Sequence, residues 1–290
     1  MSDQLEQPVG SSTGFFPDSE PQEPGTRFAC CIEYDGSHYN GWQSQPHEGV
    51  RTVQDTLEVA LASIAGESIR VHCAGRTDTG VHGTGQIVHF EAAVARSCKA
   101  WMFGGNTALP RDVRIHWVVT VPTEFHSRFS AQSRRYRYVI ANTLVRPALL
   151  RNQVAWHRRP LDAPTMHLAA QQLLGEQDFS AFRAAACQAS SPMRNVHCVS
   201  VARHSDYVVI DIQANAFLHH MVRNIAGALI AVGEGREHEG WIGELLLGKD
   251  RAAAADTASA AGLYLVEIVY PEQFSIPAPP PGPMGFGAFG

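Results

Sequence analysis

The apolar run at 28–34 (FACCIEY) is short and bounded by Asp35-Gly36, so it reads as a β-strand. Thr52 and Asp55 then head a stretch in which Val53, Leu57, Leu61 and Ile64 recur at helical spacing, which predicts a capped helix with one apolar face. Strands are expected near 69–74 and 85–91, a helix near 94–103 and a strand near 113–120. A second round starts with a strand at 134–141, where Tyr136, Tyr138 and Ile140 share one face and Arg135, Arg137 and Val139 the other. A helix entered through Asp162-Ala-Pro164 and closed by Gly175 follows. Strands near 195–203 and 207–214 are joined by the turn His204-Ser205-Asp206. A helix at 216–231, striped by Phe217, Met221, Ile225 and Leu229, and a strand near 263–270 close the pattern.

Each round is β-α-β-β-α-β, the split βαβ order of ferredoxin-like and RRM domains, which packs helices on one face of an antiparallel sheet. The expected fold class is therefore α+β: two pseudo-duplicated halves, one mostly antiparallel sheet, and an active-site cleft between them. The halves are expected at 26–130 and 131–275. Residues 1–25, rich in Ser, Pro, Gly, Gln and Glu, are expected to be a disordered acidic extension. Residues 276–290 form a Pro/Gly-rich tail unable to build a helix or central strand.

At 290 residues, with 44% apolar and 18% charged positions, the chain can bury a full core without metals or disulfides. Its six cysteines form no C-x-x-C and no zinc-finger pattern. No apolar run approaches the roughly 18 residues of a membrane span, and the N-terminus lacks a signal-peptide pattern, so a cytoplasmic protein without a membrane partner is expected. The net charge of −5 conceals an asymmetry: residues 1–35 carry seven acids against one Arg, whereas 125–161 carry eight Arg and no acid. A field of one sign on that scale points to a polyanionic partner.

The densest chemistry lies in Cys73-Ala-Gly-Arg-Thr-Asp-Thr-Gly-Val-His-Gly83, where one carboxylate, Asp78, sits in a glycine-rich loop beside Arg76 and His82. A turn-forming Asp is the plain reading. An aspartic protease would need a second D-T-G, and none exists. A metal hydrolase built on Asp78, His82, His89 and His219-His220 is disfavoured, since adjacent histidines on a helix diverge by about 100°; no metal site is expected.

The run GRTDTGVHGTGQIVHF at 75–90 resembles the catalytic signature of the pseudouridine synthases that act on the anticodon arm of transfer RNA. IEYDGSHYNGWQ, Gln132-Ser-Arg-Arg-Tyr-Arg-Tyr138, Ala216-Phe-Leu-His-His-Met-Val-Arg-Asn224 and Ala261-Gly-Leu-Tyr-Leu265 are similar to that family in order and spacing, over about 27–275. Thr79 departs from the family, which usually has Ala there.

The resemblance implies isomerisation of uridine to pseudouridine at positions 38 to 40 of the anticodon stem-loop, by a homodimer that binds tRNA and uses no cofactor. It maps the essential aspartate to Asp78, its basic partner to Arg223 and the active-site tyrosine to Tyr136. As nucleophile or base, an ionised carboxylate suits that chemistry. Tyr136 would stack on an extracted uracil. Arg76, His82, Arg134, Arg135, Arg137, His219 and His220 are the expected contacts to RNA. A non-catalytic RNA-binding module of the same fold is the alternative.

Overall fold

A computed structural model of the chain describes residues 17–47 and 49–283. Within these residues ten strands form one sheet: β1 (Arg27–Tyr34), β2 (His72–Cys73), β3 (His82–Glu91), β4 (Val113–Thr120), β5 (Ser133–Asn142), β6 (Ala155–His157), β7 (Gly175–Asp178), β8 (Met193–His204), β9 (Tyr207–Ala214) and β10 (Leu263–Val269). They run in the order β4-β1-β3-β10-β5-β9-β8-β7, with β2 on β3 and β6 on β5. Every pairing is antiparallel except β3–β10 and β5–β6. The fold is thus α+β with a mostly antiparallel sheet. The short parallel contact, Tyr264 beside His82 and Leu265 beside Gly83, joins the two groups of strands.

Among the described residues five α-helices cover the sheet: α1 (Val53–Ala65), α2 (Cys98–Ala108), α3 (Ala163–Ala170), α4 (Met221–Gly233) and α5 (Trp241–Gly248). The start of α1 is where the sequence puts it, with the Thr52 side chain accepting from the Asp55 N–H, and Gly66 at φ 73° closes the helix. The second helix begins four residues after the expected 94, because Ser97 is its N-cap and accepts from the Ala100 N–H.

The largest departure is at α4. Apolar spacing places its start at 216, yet it begins at Met221, after a turn in which the Met221 N–H donates to Leu218 and His220 adopts φ 62°. The side chain of Asn215 accepts from both Ala216 and Asn195 N–H groups and holds 215–216 against β8 instead. β6, β7 and α5 were not expected, being short or without clear periodicity.

Phe28, Cys30 and Ile32 of β1 pack with Leu57, Leu61 and Trp101 beneath α1 and α2. Tyr138 and Ile140 of β5 pack with Met166, Ile225 and Ile242 beneath α3, α4 and α5. Val139, Ala141, Val209, Tyr264 and Val266 form a smaller cluster on the other face of the second group. Segments outside the sheet also dock: Lys99 N–H donates to Asp18 and Gly25 N–H to Ala92. From the proline-rich end, the carbonyl of Ala278 accepts from Trp117 Nε1 at 3.2 Å. The rest of the two predicted tails, 1–16 and 284–290, lies outside the described residues.

Candidate active site

The loop from β2 into β3 is held from three sides. The side-chain amide of Gln86 brackets Gly75, accepting from its N–H at 3.3 Å and donating to its carbonyl at 2.5 Å. Thr77 is buried, its hydroxyl 2.8 Å from the phenol of Tyr34. Its carbonyl accepts from Trp42 N–H at 3.0 Å. The segment between β1 and α1 passes so close that a Cβ on Gly41, at φ 89°, would sit 2.8 Å from the Thr77 carbonyl; only glycine fits there. Asp78 is presented by this fixed backbone with its carboxylate partly open to solvent.

Residues just before and within α4 meet that carboxylate. His219 Nε2 lies 3.4 Å from Asp78 Oδ1, His220 Nε2 3.4 Å from Oδ2, and Arg223 Nη1 3.8 Å from Oδ2. The histidine rings are 4.0 Å apart and tilted by 37°. Because both precede the helix, the expected 100° divergence does not apply, and their nitrogens lie with the Asp78 oxygen within 4.8 Å of one another. The expectation of no metal therefore loses its geometric argument, although Arg223 adds a fixed positive charge to the same spot. Burial holds His220 below the usual histidine value, against the opposing pull of the Asp78 charge.

Arg223 is itself anchored. Its Nε donates to the Ala258 carbonyl at 2.8 Å, and Ala258 N–H returns a bond to the Arg223 carbonyl at 3.2 Å. Buried Asn224 receives Arg251 and Thr257 on its side-chain oxygen and donates to the Phe182 carbonyl. The 251–258 segment approaches so closely that a Cβ on Gly227 would lie 2.1 Å from the Asp256 carbonyl. Ala258 and its segment were not among the expected site residues; nothing in their composition marks them.

Tyr136 is 8% exposed and sits on β5 opposite Leu265 on one side and Ile212 on the other. Its phenol is pushed well above its ordinary value by burial and then by the negative charge of Asp78, which places the two groups in one electrostatic neighbourhood. Phe217 meets its ring edge-on at 5.0 Å. Helical spacing had assigned Phe217 to the α4 stripe; outside the helix, it lines the site instead.

Of the expected RNA contacts, Arg76 is exposed, and its guanidinium makes no hydrogen bond or ion pair with the described residues. The others divide differently. His82 is 1% exposed, stacks on Tyr264 at 4.7 Å and faces the carbonyls of Asn152 and Ala261 through Nε2. It is a packing residue, because RNA cannot reach an imidazole enclosed on both nitrogens. Arg135 and Arg137 lie on the strand face away from Tyr136 and share Asp211, at 2.6 and 2.8 Å. Arg137 and Asp211 are 4% and 2% exposed, so this is an internal ion network, not a phosphate-binding row. Arg134 donates to four carbonyls, those of Ala74, Arg128, Ala131 and Asn215, and staples the loops around the site.

A carboxylate fixed on a glycine-rich loop, faced by an anchored arginine and two imidazoles, with a buried tyrosine nearby, is arranged to offer one acid as nucleophile or base. The family model for tRNA pseudouridine synthases matches residues 30–130 and 169–271, and the chain belongs to that family. It is an isomerase that converts uridine to pseudouridine in tRNA. Its similarity extends to the tRNA pseudouridine synthase A of Salmonella paratyphi B (strain ATCC BAA-1250 / SPB7) and of Salmonella newport (strain SL254). Each is 55% identical over 265 residues, covering 91% of this chain and 97% of the relative. The crystal structure of a Cbf5-Nop10-Gar1 complex aligns with 82% of this chain and 57% of its own, at 11% identity and a TM-score of 0.31, too slight a likeness to bear on the site.

Proposed function

We propose that this enzyme modifies uridines at positions 38 to 40 of the anticodon stem-loop, with Asp78 as the group that acts on the extracted nucleotide. The carboxylate serves as nucleophile or base while the bond from N1 of the base to the ribose breaks and a bond from C5 forms, the C5 proton being released to solvent and N1 gaining a proton from it. Arg223 holds a positive charge 3.8 Å from the carboxylate as charge develops there. Tyr136 supplies a flat, uncharged face for the base, and Arg76 enters the space it vacates. His219 and His220 orient the two carboxylate oxygens.

The observation that carries this reading is the convergence of Arg223, His219 and His220 on the two oxygens of a single acid. A binding module would gain nothing from a carboxylate beside a polyanion. The strand order supports a cleft between repeated halves. In the first group β4-β1-β3 with β2 on β3, and in the second β10-β5-β9-β8, the fourth, first, third and second strands of a βαββαβ unit lie side by side. Asp78 comes from the first unit, Tyr136 and Arg223 from the second. A cytoplasmic homodimer belongs to the same reading, and sedimentation of the enzyme alone tests the dimer.

The deciding experiment is tritium release from tRNA labelled at uridine C5. The native enzyme releases tritium and Asp78→Asn binds tRNA without doing so. Release by both proteins would assign the chemistry to another group.

A further inference from the structure

Beyond the loop that carries Asp78, four rings step outward from the core. His89 is 4% exposed, with His72 stacked on it at 5.0 Å and His126 against it at 4.5 Å. Phe129 lies 4.3 Å from His126 and is 75% exposed, more than any other Phe or Trp among the described residues. An exposed ring usually belongs to a loose loop, but this one is built into a tight turn. His126 Nδ1 accepts from the N–H groups of Arg128 and Phe129, and Ser130 closes the turn by accepting from His126 N–H and donating to its carbonyl. The Arg128 guanidinium stands 5.6 Å over the Phe129 ring. Burial keeps His89 and His126 below the usual histidine value, so these two rings are uncharged near neutral pH.

The turn is coupled to the active site. One guanidinium nitrogen of Arg134 bonds both the Arg128 carbonyl, at 2.7 Å, and the Ala74 carbonyl, at 3.1 Å, four residues before Asp78. Four residues span at most about 14 Å, a distance of a few nucleotides along a strand.

We propose that Phe129, backed by His126 and flanked by Arg128, is a stacking site for an unpaired nucleotide of the substrate tRNA close to the modified uridine. An exposed ring beside a guanidinium is what a single-stranded nucleotide needs, one surface for the base and one charge for its phosphate. The surrounding sequence agrees, since no acid lies between 125 and 161. The inference rests on tRNA as substrate but not on the role given to Asp78.

The test uses full-length enzyme and an unmodified tRNA transcript. Phe129→Ala raises KM and Kd roughly 5- to 100-fold, the range of one lost base stack, with kcat within about twofold and the melting temperature unchanged. Phe129→Tyr, which keeps the ring, restores native KM. Arg128→Ala lowers the slope of log Kd against log salt by about one phosphate. The same weakening appears with Phe129→Ala in an Asp78→Asn background, separating this site from the chemistry. Native tRNA affinity in Phe129→Ala would overturn the proposal and assign the ring to another surface, such as a protein partner. Loss of affinity in Phe129→Tyr as well, or a KM effect that tracks a lowered melting temperature, would also overturn it.

Discussion

His220 Nε2 stands 3.4 Å from Asp78 Oδ2, on a residue whose backbone is left-handed at φ 62°. A non-glycine residue in that region costs about 1–3 kcal/mol and persists where its surroundings over-determine it. Here the strain turns the imidazole toward the carboxylate one residue before α4 begins. His220→Gly keeps the backbone and removes the ring, so kcat is expected to fall at least tenfold while the melting temperature holds or rises. Because burial sets His220 below the ordinary value of about 6.5, the ring stays neutral down to that pH and gains its proton only below it. In the native enzyme the acid limb of kcat is therefore expected below pH 6.5. A limb of unchanged position in His220→Gly would remove His220 from the titration.

Arg223 reaches Asp78 at 3.8 Å through Nη1 while its Nε holds the Ala258 carbonyl at 2.8 Å. The ion pair is long and partly solvated, so its loss falls on catalysis more than on folding. Arg223→Lys keeps a charge but cannot hold the carbonyl and reach the acid together. A fall in kcat of about 10²–10³ is expected, with about 1–3 kcal/mol of stability lost for the hydrogen bond. Equal kcat in Arg223→Lys and native enzyme would show that charge alone suffices.

Asp211 is bonded to both Arg135 and Arg137 inside the sheet. Asp211→Ala removes the buried acid that Arg135 and Arg137 share and is expected to cost about 3–5 kcal/mol in a denaturant melt. The salt dependence of tRNA affinity should not change at denaturant-free temperatures where the variant is folded. A shallower salt slope would return these arginines to the RNA surface.

His89 accepts at Nδ1 from the Ser127 N–H at 3.1 Å, and burial followed by the nearby His126, His72 and Arg27 lowers it to about 3. The unfolded chain, near the ordinary value of about 6.5, takes up this proton first as pH falls. The contribution to stability is whole above about 6.5 and is lost progressively toward about 3. Melting temperature is expected to drop across that window, and less steeply in His89→Gln. Parallel slopes for the two proteins would place the acid sensitivity elsewhere.

Much of this molecule was legible along the chain. The strand expected at 207–214 is β9 to the residue, because its alternation and its flanking turn agree. The loop bearing Asp78 was marked by its glycines, whose conformations and close approaches are local requirements. Alternation along β5 placed Tyr136 on the face opposite Arg135 and Arg137. Periodicity could not say that Asp211 lies directly across from Arg137, since that depends on the register of β9 on β5. Nor could it stop α4 at Met221, where the anchoring of Asn215 and the left-handed His220 override an apolar stripe that continues back to Phe217. Local sequence thus determined the elements, their faces and the loop that offers the carboxylate. Only the tertiary structure decided which cations reach it, because burial and cross-strand register commit Arg134, Arg135, Arg137 and His82 to acids and carbonyls brought from distant segments of the chain.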